Sequence, residues 1–318
     1  MTLDDIYSEM SNAKSVAIMA HVGPDGDAIG SCLAMGLAAR DLGIETVDVL
    51  MKEYPKNFSY LPGIELIKEE PTLEEYDMAI VLDCPDIQRV HKDFWTVFDN
   101  ANVKVEFDHH NKNAMFGDYN IVDSSSPACA QILVSSFEYL KIELTKDIMV
   151  CLLTGIITDT GGFRNSNISE ATFDFAGYAL SKGINVSKIY REALTTMPKS
   201  KFAIHKIATS RLEFLYDGKV TYTYVTKEDD ESVGVEPGDH EGIVEIGRDI
   251  EGVEVSIFIC EKEEGFKASL RSNDYVNVSE ICTAFGGGGH VRAAGATLTQ
   301  NLEESKNLIL KEVEKHLN

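Results

Sequence analysis

At 318 residues the chain is longer than a single hydrophobic core usually supports, so two domains are expected. Its 44% hydrophobic and 25% charged residues are those of a globular protein, and no stretch has the apolar length needed to cross a bilayer. The formal charge of -23 excludes a chain that grips long duplex nucleic acid through a basic face, because such binding neutralises many phosphates. A small anionic substrate needs a local reversal of that field, which bound divalent cations would supply.

The opening residues, MTLDDIYSEM, show none of the basic, apolar and small-residue succession of an export signal. Six cysteines are scattered among apolar neighbours without CxxC pairs or a disulfide-like framework, which reads as reduced core thiols in a cytoplasmic protein.

In chain order, residues 15–20 (SVAIMA) are predicted as a buried strand, followed by a Gly/Asp loop and a helix over 28–42 that Gly43 stops. Residues 45–51, 77–82 and 102–107 are further strands, and 88–98 and 127–139 read as helices. This alternation points to a mostly parallel sheet flanked by helices. Residues 145–160 (TKDIMVCLLTGIITDT) are apolar nearly all round, as in a helix buried inside the domain, and Gly161-Gly162 end it. A polar, helix-rich stretch follows to about residue 212. Beyond it the rhythm changes: 220–225, 253–259 and 266–271 alternate like antiparallel strands, then come a helix over 278–285, a glycine run and a charged C-terminal helix.

Four segments bring acids and imidazoles to the ends of these elements. His21, Asp25 and Asp27 lie in one Gly/Pro-rich loop after the first strand, at the carboxyl edge where open α/β sheets bind ligands. Asp83 ends the run MAIVL at the same edge; alone it would read as a helix N-cap. Asp108, His109 and His110 follow a third strand, and adjacent histidines on extended chain face different ways, so one can ligate while the other serves chemistry. Asp159 closes the apolar helix at its C-terminus, where burial and the macrodipole both disfavour a carboxylate and a cation is the natural compensation. Oxygen and imidazole donors without thiolate favour manganese or magnesium over structural zinc, and four converging carboxylates call for two ions. In the second half, Gly286, Gly287, Gly288 and Gly289 allow close approach of amides to an anion, with His290 or Arg292 adding charge; a hinge is the competing reading. Arg271, at a strand end, is a further candidate to hold phosphate.

Taken in order, HVGPDGDAIGS at 21–31, VLDCPD at 81–86, FDHH at 107–110 and TGIITDTGGFR at 154–164 resemble the DHH phosphoesterase superfamily, and FGGGGHVRAAGA at 285–296 resembles its associated substrate domain. The resemblance implies an α/β protein with a metal-binding catalytic domain over 1–190, a linker helix region over 191–212 and a smaller α/β substrate domain over 213–318, with a cleft between the two. Length and domain pairing are similar to those of the bifunctional oligoribonucleases and pAp phosphatases of that superfamily. Carried over residue by residue, it implies one manganese ion on His21, Asp25 and Asp83 and a second on Asp27, Asp83, His109 and Asp159, with Asp83 shared and magnesium as the alternative metal. His110 would face the scissile phosphate as hydrogen-bond donor or acid, Asp108 would orient a histidine from behind, and Arg271, His290 and the amides of residues 286–289 would hold a terminal phosphate. The expected substrates are short single-stranded RNAs, cut to 5'-mononucleotides, and pAp, converted to AMP. Cyclic di-AMP or linear dinucleotides such as pApA and pGpG form the alternative, and a non-catalytic nucleotide-binding module is disfavoured by the intact ligand set. No membrane partner is expected, and the resemblance allows a homodimer.

Overall fold

The computed structural model describes residues 2–165, 167–263 and 265–317. The chain divides into two compact units, Met1–Thr196 and Met197–Asn318. The stretch 191–212, expected as a connector, is shared between them: a π-helical turn, Arg191–Thr195, ends the first unit and the helix Lys199–Ser210 opens the second.

In the first unit β1 (Ser15–Met19), β2 (Thr46–Leu50), β3 (Ile67–Lys68), β4 (Met78–Leu82), β5 (Val103–Asp108) and β6 (Tyr119–Val122) form one sheet in the order β3-β2-β1-β4-β5-β6. Every pair is parallel. Parallel strands need both faces covered, and the sequences SVAIM and MAIVL, apolar but for Ser15, meet that demand: each residue of β1 and β4 is buried. Val16 and Ile18 join one core with the helices α2 (Gly26–Asp41), α4 (Cys129–Leu140) and α5 (Lys146–Asp159), while Ala17 and Met19 join another beneath α3 (Trp95–Asn100). The helix expected over 88–98 is realised as two 3-10 turns, Ile87–Arg89 and Lys92–Phe94, leading into the short α3. The remaining helices of this unit are α1 (Leu3–Asn12), α6 (Glu170–Ser181) and α7 (Val186–Tyr190).

Two features of this layout fix the site. Strand order reverses direction between β1 and β4, so the loops leaving them diverge and open a crevice at the carboxyl edge. Helices α2 and α5 also approach at backbone contact: a Cβ on Gly30 would stand 2.5 Å from the Cys151 carbonyl oxygen, so glycine is required there.

In the second unit α8 (Lys199–Ser210) precedes β7 (Glu213–Leu215), β8 (Val220–Val225), α9 (Lys227–Val233), α10 (Ile243–Arg248), β9 (Val255–Lys262), β10 (Gly265–Ser272), α11 (Val278–Thr283), β11 (Gly288–His290), β12 (Ala293–Leu298) and α12 (Leu302–Glu314). The sheet order is β11-β12-β10-β9-β8-β7. It is antiparallel except for β8 and β9, which are parallel because α9 and α10 intervene as a crossover. The second half of the glycine run is part of this sheet, β11 lying antiparallel on β12 as an edge strand and not forming a hinge, while Gly286 and Gly287 lead into it from α11. Among the described residues no helix is long and apolar enough to cross a membrane. All six cysteines are free and buried.

Candidate metal centre

The carboxyl ends of β1, β4 and β5 and the ends of α2 and α5 deliver the expected side chains to one place. Asp25 caps α2, accepting the amides of Asp27 and Ala28 at 3.0 and 3.1 Å, and so starts the helix that carries Asp27 inward. Asp27 is wholly buried; it accepts the Cys129 and Ala130 amides at the start of α4 at 2.6 and 2.9 Å and the Ser31 hydroxyl at 3.2 Å. These donors hold a carboxylate whose burial, with Asp83 and Asp159 beside it, pushes its pKa well above the usual range. Asp83 sits just past β4 with φ of 53°, a left-handed conformation that Asp tolerates better than most residues. From there one carboxylate oxygen faces His109 and the other His21.

His109 is the hub. Its Nε2 lies 3.3 Å from Asp83 Oδ1, 3.5 Å from Asp159 Oδ2 and 3.9 Å from Asp27 Oδ2, while Nδ1 lies 3.3 Å from the Ser126 carbonyl oxygen. With Nδ1–H donated to Ser126, Nε2 is left facing three acids, which favour a proton there or, once that proton is lost, a cation in its place. Burial opposes a charged imidazole, yet Asp83, Asp27 and Asp159 outweigh it and raise His109 to about 10. Asp159, lifted by burial and by the charges of Asp83 and Asp25 against the pull of His109, rises to about 6. On the other side His21 Nε2 lies 3.7 Å from Asp83 Oδ2.

Three groups of ligand atoms therefore cluster within coordinating reach: His21, Asp25 and Asp83; Asp27, His109 and Asp159; and Asp83, His109 and His110. Asp83 Oδ1 is buried and, among the described residues, accepts no hydrogen bond, although His109 Nε2 is 3.3 Å away. An orphaned buried carboxylate oxygen surrounded by imidazoles and acids fits divalent cations, and an all oxygen and nitrogen donor set is that of manganese or magnesium.

His110 stands at the rim of these groups, its Nδ1 3.7 Å from Asp83 Oδ1. Its Nδ1 is 2.7 Å from Asp108 Oδ1, so Asp108, wholly buried at the end of β5, fixes the imidazole from behind. Sequence reading missed the next layer: Glu106 and Asn113, whose amide bridges Glu106 Oε1 and Asp108 Oδ2 at 2.5 and 2.7 Å. A Glu set between Val105 and Phe107 in a predicted strand was the available signal, and the structure buries it wholly.

In the second unit Arg271 lines a cavity of about 260 Å³ with Lys262, Lys267 and Ser269, and its Nε donates to Glu245 at 2.9 Å. Lys267 also lines a neighbouring cavity of about 400 Å³ against Phe285, Gly286, Gly287 and Gly288. Both lysines escaped the sequence reading: alternation along β10 already sets Lys267 on the face of Arg271, whereas Lys262 joins them only through the pairing of β9 with β10. The glycine amides are less available than expected: those of Gly286 and Gly287 already donate to the carbonyls of Thr283 and Cys282 at 3.0 and 2.9 Å. Gly287 is needed for close packing, since a Cβ there would stand 2.2 Å from the Gly295 carbonyl oxygen. His290 is exposed on β11, and Arg292 is occupied by the carbonyls of Val276 and Asp274. A further group, Asp230, His240 and Cys260, sets His240 and Cys260 on the first of these cavities, but Lys262, Lys267 and Arg271 on the same cavity oppose another cation.

Comparison with known proteins agrees with this geometry. Residues 15–156 match the DHH family, N-terminal domain, and residues 217–318 match the DHHA1 domain. The bifunctional oligoribonuclease and PAP phosphatase NrnA of Thermus thermophilus is 34% identical over 95% of this chain and 90% of its own. The crystal structure of an exopolyphosphatase-related protein from Bacteroides fragilis superimposes with a TM-score of 0.89 at 26% identity, covering 98% of this chain and 95% of the other. RecJ of Thermus thermophilus, crystallised with Mn2+, shares the fold at a TM-score of 0.53 and 14% identity, covering 98% of this chain and 53% of RecJ. The chain belongs to the DHH family of phosphoesterases, hydrolases in which an N-terminal DHH domain is joined to a DHHA1 domain.

Proposed function

We propose that this chain hydrolyses short oligoribonucleotides to 5'-mononucleotides and removes the 3'-phosphate of pAp with two divalent ions, manganese in the first instance. His21, Asp25 and Asp83 would hold one ion and Asp27, Asp83, His109 and Asp159 the other. The observation that carries this is Asp83: a buried carboxylate with an oxygen that accepts no hydrogen bond among the described residues, one side toward His21 and the other toward His109. Bound there, such ions activate water and offset the charge gathering on phosphoryl oxygens.

The chain's own groups do the rest. Asp108 fixes His110 through Nδ1, which leaves Nε2 to meet the scissile phosphate or the leaving oxygen. Ser126, through His109 Nδ1, keeps the ligating nitrogen turned toward the acids. Lys262, Lys267 and Arg271 are the phosphate-holding groups of the second unit, with the exposed His290 as a further contact. Names of relatives support both substrates, since the Thermus thermophilus protein carries oligoribonuclease and PAP phosphatase in one chain. Six buried free thiols suit the reducing cytoplasm.

A panel of pAp, RNA dimers to pentamers, pApA, pGpG and cyclic di-AMP with and without Mn2+ tests the proposal. Manganese-dependent release of AMP from pAp and of mononucleotides from RNA dimers is expected. No turnover of either removes the assignment, and turnover of dinucleotides alone replaces it with a dinucleotide phosphodiesterase.

A further inference from the structure

We infer that Asn113 and Glu106 are positioning residues for the reaction, Asn113 locking Asp108 in the orientation that fixes His110 and Glu106 locking Asn113. The inference rests on the role proposed for His110.

The two hydrogens on Asn113 Nδ2 have two acceptors, Asp108 Oδ2 at 2.7 Å and Glu106 Oε1 at 2.5 Å. Its Oδ1 accepts the Met115 amide at 2.6 Å, so the backbone of the following residues decides which end of the amide faces the acids. The same segment is tied to the loop after β4, where the Ala114 amide donates to the Pro85 carbonyl at 2.9 Å. Asn113 is thus held in place independently of Asp108, which a positioning group must be.

Asp108 needs that help. Its carboxylate is wholly buried, and apart from the His110 ring at 2.7 Å and the His110 amide at 3.2 Å its side-chain hydrogen bond among the described residues comes from Asn113. Without Asn113, the acid would be steered only by the histidine it is meant to steer, with Glu106 repelling it from the adjacent strand position. Glu106 is equally buried, flanked along β5 by Val105 and Phe107. A carboxylate in mid-strand costs stability relative to an apolar residue, so the fold alone does not call for one. Its service is to the amide: a second acceptor stops Asn113 from turning about its terminal bond and keeps one hydrogen trained on Asp108.

The test compares Asn113→Ala, Glu106→Ala and Glu106→Gln in the full chain. N113A should lower kcat roughly 10- to 100-fold, the range for loss of a group that orients a site residue, with KM and bound manganese near wild type. E106A should fall in the same direction, and E106Q should recover most of the loss, because its amide oxygen still accepts from Asn113. A purely structural role would not move the imidazole itself, so the second readout is the long-range proton–nitrogen spectrum of 15N-histidine protein loaded with Mg2+. The His110 signal, identified by its loss in H110A, should report a single Nδ1–H tautomer in wild type and E106Q and a tautomer mixture in N113A. N113S, a smaller perturbation that cannot reach both acids, serves if N113A does not fold. Wild-type kcat in N113A, or a slow N113A whose His110 signal is unmoved, overturns the inference; E106Q as slow as E106A removes Glu106 from it. If the wild-type chain turns over no phosphoester, the functional proposal falls, while the histidine spectra still decide the positioning.

Discussion

Gly155 of α5 and Asp27 of α2 are in van der Waals contact, so close that a Cβ on Gly155 would stand 2.6 Å from Asp27 Oδ1 and 2.8 Å from the Ala130 Cβ. The glycine is therefore a condition for the carboxylate's place, set between two helices and the amides that start α4. Gly155→Ala should cost about 1–3 kcal/mol by overpacking and should weaken manganese binding, because Asp27 is the group that must yield. Gly177→Ala supplies the contrast: on exposed α6, with nothing within 4 Å of the new methyl, it should stabilise by about 0.5–1 kcal/mol and leave metal affinity alone. Denaturant melts and manganese titrations of the two variants check both halves, and equal metal affinity in G155A would detach the glycine from the site.

Asp83→Asn should abolish turnover of pAp, by about 10³-fold or more, since a shared ligand takes both ions with it and their contribution is several kcal/mol. Asn fits the space and, like Asp, tolerates the φ of 53° at this position, so far-UV circular dichroism should be unchanged. Bound manganese per chain, measured after gel filtration, should drop. Near wild-type turnover with two ions retained would exclude Asp83 as the bridge.

Much of this was legible in the sequence because the acids and imidazoles sit at strand and helix ends, where apolar runs stop abruptly. SVAIM and MAIVL announce buried parallel strands, and whatever follows them must lie at the carboxyl edge. Asp159 was visible for a different reason, a charge closing a helix with no polar face. What stayed hidden depends on contacts between segments far apart in the chain. That Gly30 and Gly155 let α2 and α5 touch, that Asn113 bridges two acids, and that Lys267 belongs to two cavities all require the third dimension. The glycine run is ambiguous for a related reason: an edge strand packed on β12 has the same local sequence as a hinge, and only the pairing tells them apart.

Metal and pH should act on stability with opposite signs. Asp159 is raised on folding from 3.8 to about 6, so its contribution in the metal-free protein is full below about pH 3.8 and is lost as pH climbs through 6. His109 is raised from 6.5 to about 10, and the stability it adds as a cation is full below pH 6.5 and fades as pH rises through 10. Both make the metal-free chain melt lower as pH rises. Ions take only the deprotonated ligands, so binding strengthens with pH and stabilises by about 2.7 kcal/mol when free metal is a hundredfold above Kd. Thermal melts in EDTA and in Mn2+ from pH 5.5 to 8.5 should therefore separate progressively; a gap that is constant or narrows would contradict an ion among these residues.

Lys267 reaches both cavities of the second unit, whereas Arg271 is held by Glu245 at 2.9 Å. If the two cavities take successive phosphates of one substrate, Lys267→Ala should raise KM for a 5'-phosphorylated RNA trimer about tenfold or more, since a hydrogen bond to a charged group is worth roughly 1.5–3 kcal/mol. The effect on pAp should be smaller, because a substrate of two phosphates leaves one cavity unused. Arg271→Ala should affect both substrates, and neither variant should lose bound metal, the ligands being in the other unit. Salt gives an independent reading: removing one phosphate contact should flatten the dependence of log KM on log salt for the trimer by about 0.7. An unchanged KM and an unchanged salt slope in K267A would mean that the basic groups of these cavities do not hold the substrate, and that the grip must come from the exposed His290 and the edge strand that carries it.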